Sequence, residues 1–507
     1  MYTTPRRLAA TLAGVAALVG TATACAPGSP EAGSSSEGAV PDTSITIGLT
    51  GEPVNFDFTT TSGSAIPQVL MNNVYEGLVA LDQEGNVVPK LATEWTVSED
   101  GLTYDFTLQE GVTFSNGAEF TADDVKFSLE RIATDWTINQ GKMAVLDHVE
   151  VVSPTEARVV LTTPSNAWLL DMTSSVGLML DESGVAALAT DPVGTGPYVI
   201  ADRVEGDRIE LAARDDYWGT APAITEVTLR YFADAVASTN ALRAGDADML
   251  FNMQAPDLIP QLESDSAFQV IQGSSNGEIM LTLNNQAAPF DDIRVRQAIA
   301  YAIDRQAVLD AAWAGYGELI GAMVPPTDPY YEDLNDLYPY DPERAQELLA
   351  EAGVSDLSIT FSVPTRPYAT AVSEVVVSQL AQVGITATIE TLEFPAVWLE
   401  QVFNQDDYQM SVILLTEPRD ILPTFNDPEY FIGFDNTEIA PIAASADSAT
   451  RDEWIAGMKE IARITAEDVA SVPLFLFPNV VVADSSLTGI KANAVTESLD
   501  LTELAWS

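Results

Sequence analysis

The stretch that most constrains the fold is a strand pattern that ends in a proline-containing loop and is followed directly by a helix pattern. Apolar residues alternate with small polar ones over residues 357–363, which is the period-two pattern of a strand. Two prolines stop the strand, and residues 369–383 then have a helical pattern. Arg366 and Tyr368 are therefore expected in the loop at the carboxyl end of a strand, where open α/β sheets bind ligands.

The chemistry of Arg366 and Tyr368 suits the recognition of a carboxylate. Arginine carries a planar, permanently charged fork that can give a carboxylate two hydrogen bonds. A tyrosine two residues later can add a hydroxyl donor and an aromatic face. The alternative is that Arg366 is a surface residue that pairs with one of the many acidic side chains.

Strand and helix patterns alternate along the rest of the chain, which predicts an α/β fold with mixed sheets. Thr121 can cap a helix over residues 122–132, and residues 67–79 have an amphipathic helical pattern. Residues 95–108 are typical of a hairpin that turns at Asp100-Gly101. At 507 residues the chain is too long for one ordinary core, so two or three domains are expected.

The charge of the chain excludes some partners. There are 75 acidic residues against 22 lysines and arginines, a net charge of −53, which argues against binding to nucleic acid or docking on an anionic membrane. Apolar residues make up 47% of the chain, which excludes global disorder. The acidity can serve solubility, or it can attract cationic ligands.

The N-terminus has the pattern of a lipoprotein signal peptide over residues 1–24. Two arginines precede the apolar residues 8–20, which are too few to span a bilayer. Residues 22–25 resemble a lipobox, so Cys25, the only cysteine, is expected to carry acyl chains that tether the protein outside the cytoplasmic membrane or in the periplasm. Residues 25–42 are rich in Gly, Ser and Pro and predict a flexible linker. The alternative is a plain secretory signal with an incidental cysteine.

Five segments, in order, resemble the extracellular solute-binding proteins of family 5, the dipeptide, oligopeptide and nickel type that feeds bacterial ABC importers. The segments are VYEGLVALDQEGNVVPKLATEW (74–95), LTYDFTLQEGVTFSNGAEFTADDVKFSLERI (102–132), GTGPY (194–198), PFDDIRVRQAIAYAIDRQAV (289–308) and YDPERAQELLAEAG (340–353). The resemblance implies a large, two-lobed periplasmic-binding-protein fold with a hinged cleft and an inserted third domain.

The resemblance also implies domain boundaries. Lobe I would consist of residues 43–75, 193–271 and 480–507, the inserted domain of residues 76–192, and lobe II of residues 272–479. A solute would bridge the lobes and stabilise the closed form by its higher affinity for that form. The expected partners are a peptide or similar small solute and an ABC permease, and the protein is expected to be a monomer.

The same resemblance implies candidate ligand-binding residues. Arg366 and Tyr368 match the RPY segment with which dipeptide binders receive a terminal carboxylate, and Glu52 matches a ligand-side glutamate. Peptide binders usually show Trp-x-Ala-Asp after the corresponding strand, and its aspartate pairs with the peptide amine. This chain has LTEPRD at 415–420 instead, so Glu417 or Asp420 could hold the amine, or both could be rim residues while Arg419 favours acidic solutes. An opine-like conjugate, a chelated metal or another carboxylate-bearing solute therefore stays an alternative to a peptide.

Enzymatic and metal chemistry find little support. His148 is the only histidine, so a transition-metal site made by protein ligands is not expected, and no cofactor is expected either. Residues 273–277 fit GxSxG, but a strand pattern follows them where a nucleophile elbow needs a helix. The alternative of a secreted hydrolase is therefore disfavoured, and we expect that the chain is not an enzyme.

Overall fold

The computed structural model describes residues 43–507. The predicted signal peptide, the predicted lipidation site Cys25 and the predicted linker lie outside the described residues. The strands are, in chain order, β1 Ser44–Leu49, β2 Val79–Leu81, β3 Val87–Pro89, β4 Ala92–Val97, β5 Thr103–Leu108, β6 Leu146–Ser153, β7 Glu156–Leu161, β8 Tyr198–Val204, β9 Arg208–Ala213, β10 Glu226–Tyr231, β11 Met249–Leu250, β12 Phe268–Gly273, β13 Glu278–Leu283, β14 Ser358–Pro364, β15 Thr386–Leu392, β16 Met410–Leu415, β17 Ser471–Leu476, β18 Asn479–Asp484, β19 Leu487–Thr488 and β20 Ala505–Trp506.

The helices are α1 Ala65–Leu70, α2 Ala122–Asp135, α3 Asn166–Asp171, α4 Ala235–Ala244, α5 Ile259–Glu263, α6 Ile293–Ala302, α7 Arg305–Trp313, α8 Pro342–Glu351, α9 Pro367–Gln382, α10 Ala396–Trp398, α11 Ile421–Phe425, α12 Ile439–Asp447 and α13 Arg451–Glu467. Short 3-10 turns lie at Gln140–Met143, Ser175–Gly177, Val185–Ala187 and Pro256–Leu258, and a π-helical turn follows α10 at Leu399–Asn404.

Three larger sheets organise the described residues. A seven-stranded mixed sheet has the order β12-β18-β11-β1-β10-β9-β8, and a five-stranded mixed sheet has the order β15-β14-β16-β13-β17. A four-stranded antiparallel sheet, β4-β5-β7-β6, is formed within residues 92–161. The predicted α/β class with mixed sheets is confirmed. The domain boundaries stay predictions, and the names lobe I, inserted domain and lobe II refer below to the segments defined above.

The chain passes between the seven-stranded and the five-stranded sheet twice, through residues 274–277 and through Phe477-Pro478. These two crossings are themselves joined, because the Phe477 N–H donates to the Gly277 carbonyl at 2.7 Å. Two short, paired connections between two sheets are the arrangement around which lobes can rotate.

The five-stranded sheet is covered on both faces. All six residues of β13 are buried, and its alternate residues belong to different cores. Ile279 and Leu281 pack with one face of α9, while Met280 packs on the other side of the sheet with Tyr330. Each fully buried Leu or Ile contributes about 1.5–3 kcal/mol to folding, so β13 is firmly held.

Local predictions are mostly confirmed near this sheet. The predicted strand is β14, and the predicted helix is α9, whose buried residues Val372, Val376 and Leu380 lie on one helical face. Thr121 caps α2, as predicted, and the structure shows that it does so in a capping box with Asp124. Arg366 occupies the N-cap position of α9 without a side-chain capping bond, and Tyr368 lies in the first turn of α9, so the loop after β14 is shorter than predicted.

The predicted helix over residues 67–79 is wrong beyond Leu70, where α1 ends. The buried Asn73 side chain explains the early end, because its Nδ2 donates to the Leu499 carbonyl at 2.7 Å and its Oδ1 accepts from the Leu501 N–H at 3.1 Å. These bonds to the distant C-terminal segment replace the helical turn that the apolar pattern predicts. Within residues 43–507, no helix is both long and apolar enough to cross a bilayer.

Candidate ligand-binding site

Arg366 and Tyr368 lie at the edge of the five-stranded sheet where β14 and β16 end. The two strands run parallel, so the residues that follow them meet at the same edge. The Tyr368 hydroxyl accepts a hydrogen bond from the Leu414 N–H at 3.0 Å, which ties the start of α9 to β16. Burial raises the pKa of Tyr368 to about 12, so its hydroxyl keeps a proton that it can donate.

Arg366 is exposed and cationic. Its Cζ atom lies 4.7 Å from the centroid of the Phe394 ring, a cation–π contact that orients the guanidinium. Among residues 43–507 it forms no ion pair, although the chain contains 75 acidic residues. The guanidinium fork is therefore available to an external carboxylate.

The loop after β16 brings a guanidinium and two of the predicted carboxylates to the same edge. Asp420 is buried, and its Oδ1 has no hydrogen-bond partner, while Glu417 is exposed. Burial raises the pKa of Asp420 well above its usual range, and the neighbouring Glu417 and Asp328 raise it further. Arg419 has a φ of +59°, which an L-residue adopts only at a cost of about 1 kcal/mol or more.

Arg419 is held loosely between two chain segments. Its Nε lies 3.3 Å from Asp328 Oδ1 in an ion pair, but Nε is not oriented for a hydrogen bond. Its Nη2 lies 3.5 Å from the Gly85 carbonyl oxygen, which belongs to the inserted domain. Burial raises the pKa of Asp328, and the guanidinium opposes that rise.

Glu278, which sequence reasoning missed, completes the acidic side of this site. It is 1% exposed, and neither of its carboxylate oxygens has a hydrogen-bond partner. Burial raises its pKa well above the usual range, with further contributions from Asp420 and Asp328. The available signal was an acid at the first position of a strand, EIMLTL, that is otherwise almost entirely apolar.

Three further charged residues from other segments, Lys142, Asp171 and Glu497, were missed by sequence reasoning too: Asp171 and Glu497 each interact with a residue of the loop, and Lys142 interacts with both of them. Burial raises the pKa of Asp171 to about 6, and the Lys142 ammonium and the Arg419 guanidinium oppose that rise. The Glu497 side chain keeps access to solvent, yet the surrounding protein desolvates it enough to raise its pKa, and Glu417 adds to that effect. No local sequence signal joins these three residues, because they converge only in the folded chain.

Glu52 lies apart from this cluster. Its carboxylate forms an ion pair with Arg203 at 3.3 Å and accepts a hydrogen bond from the Gly206 N–H at 2.8 Å. No contact joins it to Arg366, Tyr368 or the loop after β16 within the described residues. Its role as a ligand-binding residue stays a prediction.

A cavity of about 650 Å³ lies beside the two crossings, a volume in the range of small-molecule sites. It adjoins the charged cluster, since Thr327 lines the cavity and the next residue, Asp328, belongs to the cluster. It also adjoins Tyr368, whose ring centroid lies 6.5 Å from that of Phe477 in the cavity wall. The lining residues are Gln83, Glu84, Gln272, Gly273, Ser274, Gly317, Glu318, Pro326, Thr327, Leu476, Phe477, Pro478 and Asn493.

Other chemistry has little structural basis. Residues 274–277 connect two strands, so the GxSxG segment forms no strand–turn–helix elbow. His148 lies at the surface of β6 between Asp147 and Glu150. In the described part of the chain, no three His, Cys, Asp or Glu side chains are grouped so that they could hold a metal ion.

Known proteins similar to this chain are binding proteins. A glutathione-binding protein of Salmonella paratyphi A is 31% identical over 341 residues, which cover 66% of this chain and 66% of that protein, about two thirds of its length. A dipeptide-binding protein of Escherichia coli K12 is 28% identical over 466 residues, which cover 84% of each chain. A Helicobacter pylori periplasmic binding protein, associated with an ABC transporter and solved with the peptide STSA, has a TM-score of 0.76 at 22% identity and covers 92% of this chain and 98% of its own.

These similarities establish the fold and the family. The structural similarity confirms the predicted periplasmic-binding-protein fold. The family model of the bacterial extracellular solute-binding proteins, family 5 Middle, matches residues 86–433, which is more than half of the chain. The chain therefore belongs to family 5 of the bacterial extracellular solute-binding proteins, a family of binding proteins and not of enzymes.

Proposed function

We propose that the chain is the substrate-binding component of an ABC importer and that its solute is a peptide. The observation that carries this proposal is the pairing of unused charges at one sheet edge. Among the described residues 43–507, Arg366 has no carboxylate partner, while Glu278 and Asp420 have carboxylate oxygens without any donor. A peptide carries both complements, a carboxylate at one end and an ammonium group at the other. The names of the glutathione-binding and dipeptide-binding relatives support the same class of solute.

In this proposal the Arg366 fork receives the terminal carboxylate, and the Tyr368 hydroxyl donates a further hydrogen bond. The amine lies near the loop after β16, where Asp420, with Glu417 beside it, replaces the aspartate of the family pattern. Glu52 would join the site only by exchanging its present partner Arg203 for the solute.

Lobe closure follows from the same contacts. Lobe II already touches the inserted domain through Arg419 and the Gly85 carbonyl, and a solute that bridges these parts would favour the closed form. The closed form would then dock on the permease and release its solute there. A monomer is sufficient for this cycle, because all of these groups come from one chain.

The proposed location is the outer face of the cytoplasmic membrane or the periplasm, with acyl chains on Cys25 as the anchor. The lipobox-like residues 22–25 support this part of the proposal. Replacement of Cys25 by Ser should move the protein from the membrane fraction to the soluble fraction of the cell. An unchanged membrane fraction would contradict the lipid anchor.

A second candidate is a carboxylate-bearing solute such as an opine-like conjugate or a chelated metal. The observation that favours it is Arg419, a second guanidinium in the loop where the family pattern has no arginine, with an imperfectly oriented ion pair to Asp328. A solute with two acidic groups could engage both Arg366 and Arg419.

A thermal-shift screen of di- to pentapeptides beside opines separates the two candidates. A solute present at 100 times its dissociation constant should stabilise the protein by about 2.7 kcal/mol. Stabilisation by peptides, together with a peptide mass in native mass spectrometry of gently purified protein, supports the first proposal. Stabilisation by opines alone would reject it in favour of the second.

A further inference from the structure

Glu278 is a buried acid that the fold does not use. It occupies the first position of β13, and its side chain lies on the same face as Met280, toward Tyr330 and α11. Both carboxylate oxygens are shielded from water and lack a hydrogen-bond partner. A carboxylate in such a place is strongly disfavoured unless a proton or a cation joins it. If it served only to fill space, a glutamine or a methionine would fill the same space without that penalty.

The neighbours of Glu278 are short of positive charge. Asp420 Oδ1 and Asp328 Oδ2 also lack a well-aligned hydrogen bond, although the Tyr330 hydroxyl interacts with Asp328. The only guanidinium among these groups, on Arg419, pairs with the other oxygen of Asp328. Three buried carboxyl groups therefore share one cation. The other groups that interact directly with these carboxyl groups are Glu417, Tyr330 and Tyr430, and none of these is positively charged. Two cations lie further out: Lys142 interacts with Asp171 and Glu497, and Arg451 interacts with Arg419.

The segment that covers the three carboxyl groups is the loop around Gly85 in the inserted domain. Gly85 of the inserted domain lies against the carbonyl of Thr327, so closely that a Cβ atom at Gly85 would lie 2.0 Å from that oxygen. The Gly85 carbonyl oxygen also lies 3.5 Å from Arg419 Nη2. Movement of the inserted domain away from lobe II would remove the Gly85 loop and free Arg419, which opens a path to the three carboxyl groups.

From this arrangement we infer that Glu278 is a specificity-determining residue: with Asp420 it encloses a cationic group of the solute, and the pair gives up a proton when that group binds. The inference rests on the proposed function, because it assigns the amine end of the proposed peptide. Two carboxyl groups that share a buried space cannot both be ionised without a cation, so an arriving ammonium replaces a bound proton. An organic cation fits better than a metal ion, because no metal-binding group of three side chains occurs in the described residues.

Three probe peptides separate the possible sources of the cation: trialanine has an N-terminal ammonium, N-acetyl-Ala-Lys-Ala has only a side-chain ammonium, and N-acetyl-trialanine has neither. Isothermal titration of the purified chain in two buffers of different ionisation enthalpy gives the affinity and the number of protons released. We expect wild type to bind one ammonium-bearing probe with release of about one proton at pH 7, and to bind N-acetyl-trialanine without proton release.

Glu278→Gln should weaken binding of the ammonium-bearing probe at least about tenfold and abolish the proton release. Glu374→Gln, an exposed acid on α9, is the matched control and should change neither.

Unchanged affinity and proton release in Glu278→Gln would overturn the inference, because Glu278 would then be a neutral core residue. If wild type binds none of the peptides, the proposed function fails, and argininamide then tests the subsite alone by thermal shift. Stabilisation of wild type but not of Glu278→Gln by argininamide would support the subsite. No stabilisation of wild type would overturn it.

Discussion

Glu76 and Glu278 are equally buried, at 0% and 1% exposed, but their surroundings are opposite. The Glu76 carboxylate has four partners, which are Lys90 Nζ at 3.1 Å, the Tyr217 hydroxyl at 2.7 Å, and Trp218 Nε1 and Thr195 Oγ1 at 2.9 Å each. The Glu278 carboxylate has none. Burial alone therefore does not tell a structural acid from a binding one, whereas the number of partners does.

The two glutamates also differ in their relation to the family motifs. Glu76 lies in the segment 74–95 and its partner Thr195 in the segment 194–198, two of the five stretches that carry the family resemblance. Glu278 and the loop after β16 lie outside all five. The motifs that identify the family thus hold the fold together, and the groups that would choose the solute lie outside them.

The largest effect, a loss of stability, is expected from the substitution of Glu76, the glutamate whose carboxylate has four partners. Glu76→Gln removes the charge opposite Lys90 and turns one acceptor toward Trp218 or Tyr217 into a donor, so at least one buried donor loses its partner. We expect the free energy of unfolding to fall by about 3–5 kcal/mol. Urea denaturation followed by tryptophan fluorescence measures this loss, since Trp218 is one of the partners.

Glu94→Gln is the control for that prediction: Glu94 is exposed on β4, so the variant should unfold like wild type.

Glu278→Gln should unfold no more easily than wild type at pH 8. The raised pKa of Glu278 means that ionisation costs folding energy as pH rises above the usual range of a glutamate, and glutamine avoids this cost. Equal destabilisation by both substitutions would remove the distinction between the two acids.

A smaller effect is expected at the cationic end of the proposed site. Arg366→Ala removes the guanidinium that would hold the terminal carboxylate with two hydrogen bonds, so peptide binding should weaken by about 2 kcal/mol, roughly 30-fold. A peptide amidated at its C-terminus should bind wild type and variant alike. Titration calorimetry checks both, with Arg344→Ala as the control, since Arg344 pairs with exposed glutamates on α8. Equal losses for free and amidated peptides would show that Arg366 does not read the carboxylate.

The sequence was sufficient for the fold where local patterns and tertiary packing agree. The period of two in β14 and the capping box of α2 each specify an element without help from distant residues. The prediction failed at residues 71–79, where Asn73 bonds to the backbone near Leu499 and no local pattern could indicate that contact.

The candidate site was less predictable than the fold, for a physical reason. Arg366 and Asp420 could be singled out because each follows a strand and matches or replaces a family motif. Asp171 and Glu497 could not, because they interact with the loop after β16 only through space, and Lys142 could not, because it interacts with those two residues in the same way. In a chain with 75 acids, the important carboxylates are those that lack a partner, and that property exists only in the fold.

The smallest effect is expected at Asp447, an acid whose partners lie across the boundary between lobe II and the inserted domain. Its Oδ1 accepts from the Asn166 N–H at 2.9 Å and from the Ser165 hydroxyl and the Ala167 N–H at 3.1 Å each, so it caps α3 from outside. If these bonds form only when the lobes close, Asp447→Ala should weaken solute binding by about 1 kcal/mol, roughly fivefold, through faster dissociation. Stopped-flow dissociation rates measure this effect, and Asp291→Ala, an exposed acid of lobe II, should leave them unchanged. A variant that unfolds more easily but releases solute at the wild-type rate would show that the contact persists in the open form. Asp447 would then resemble Glu76, whose hydrogen bonds stabilise the fold. Closure of the lobes would in that case depend on contacts of the solute and of Arg419.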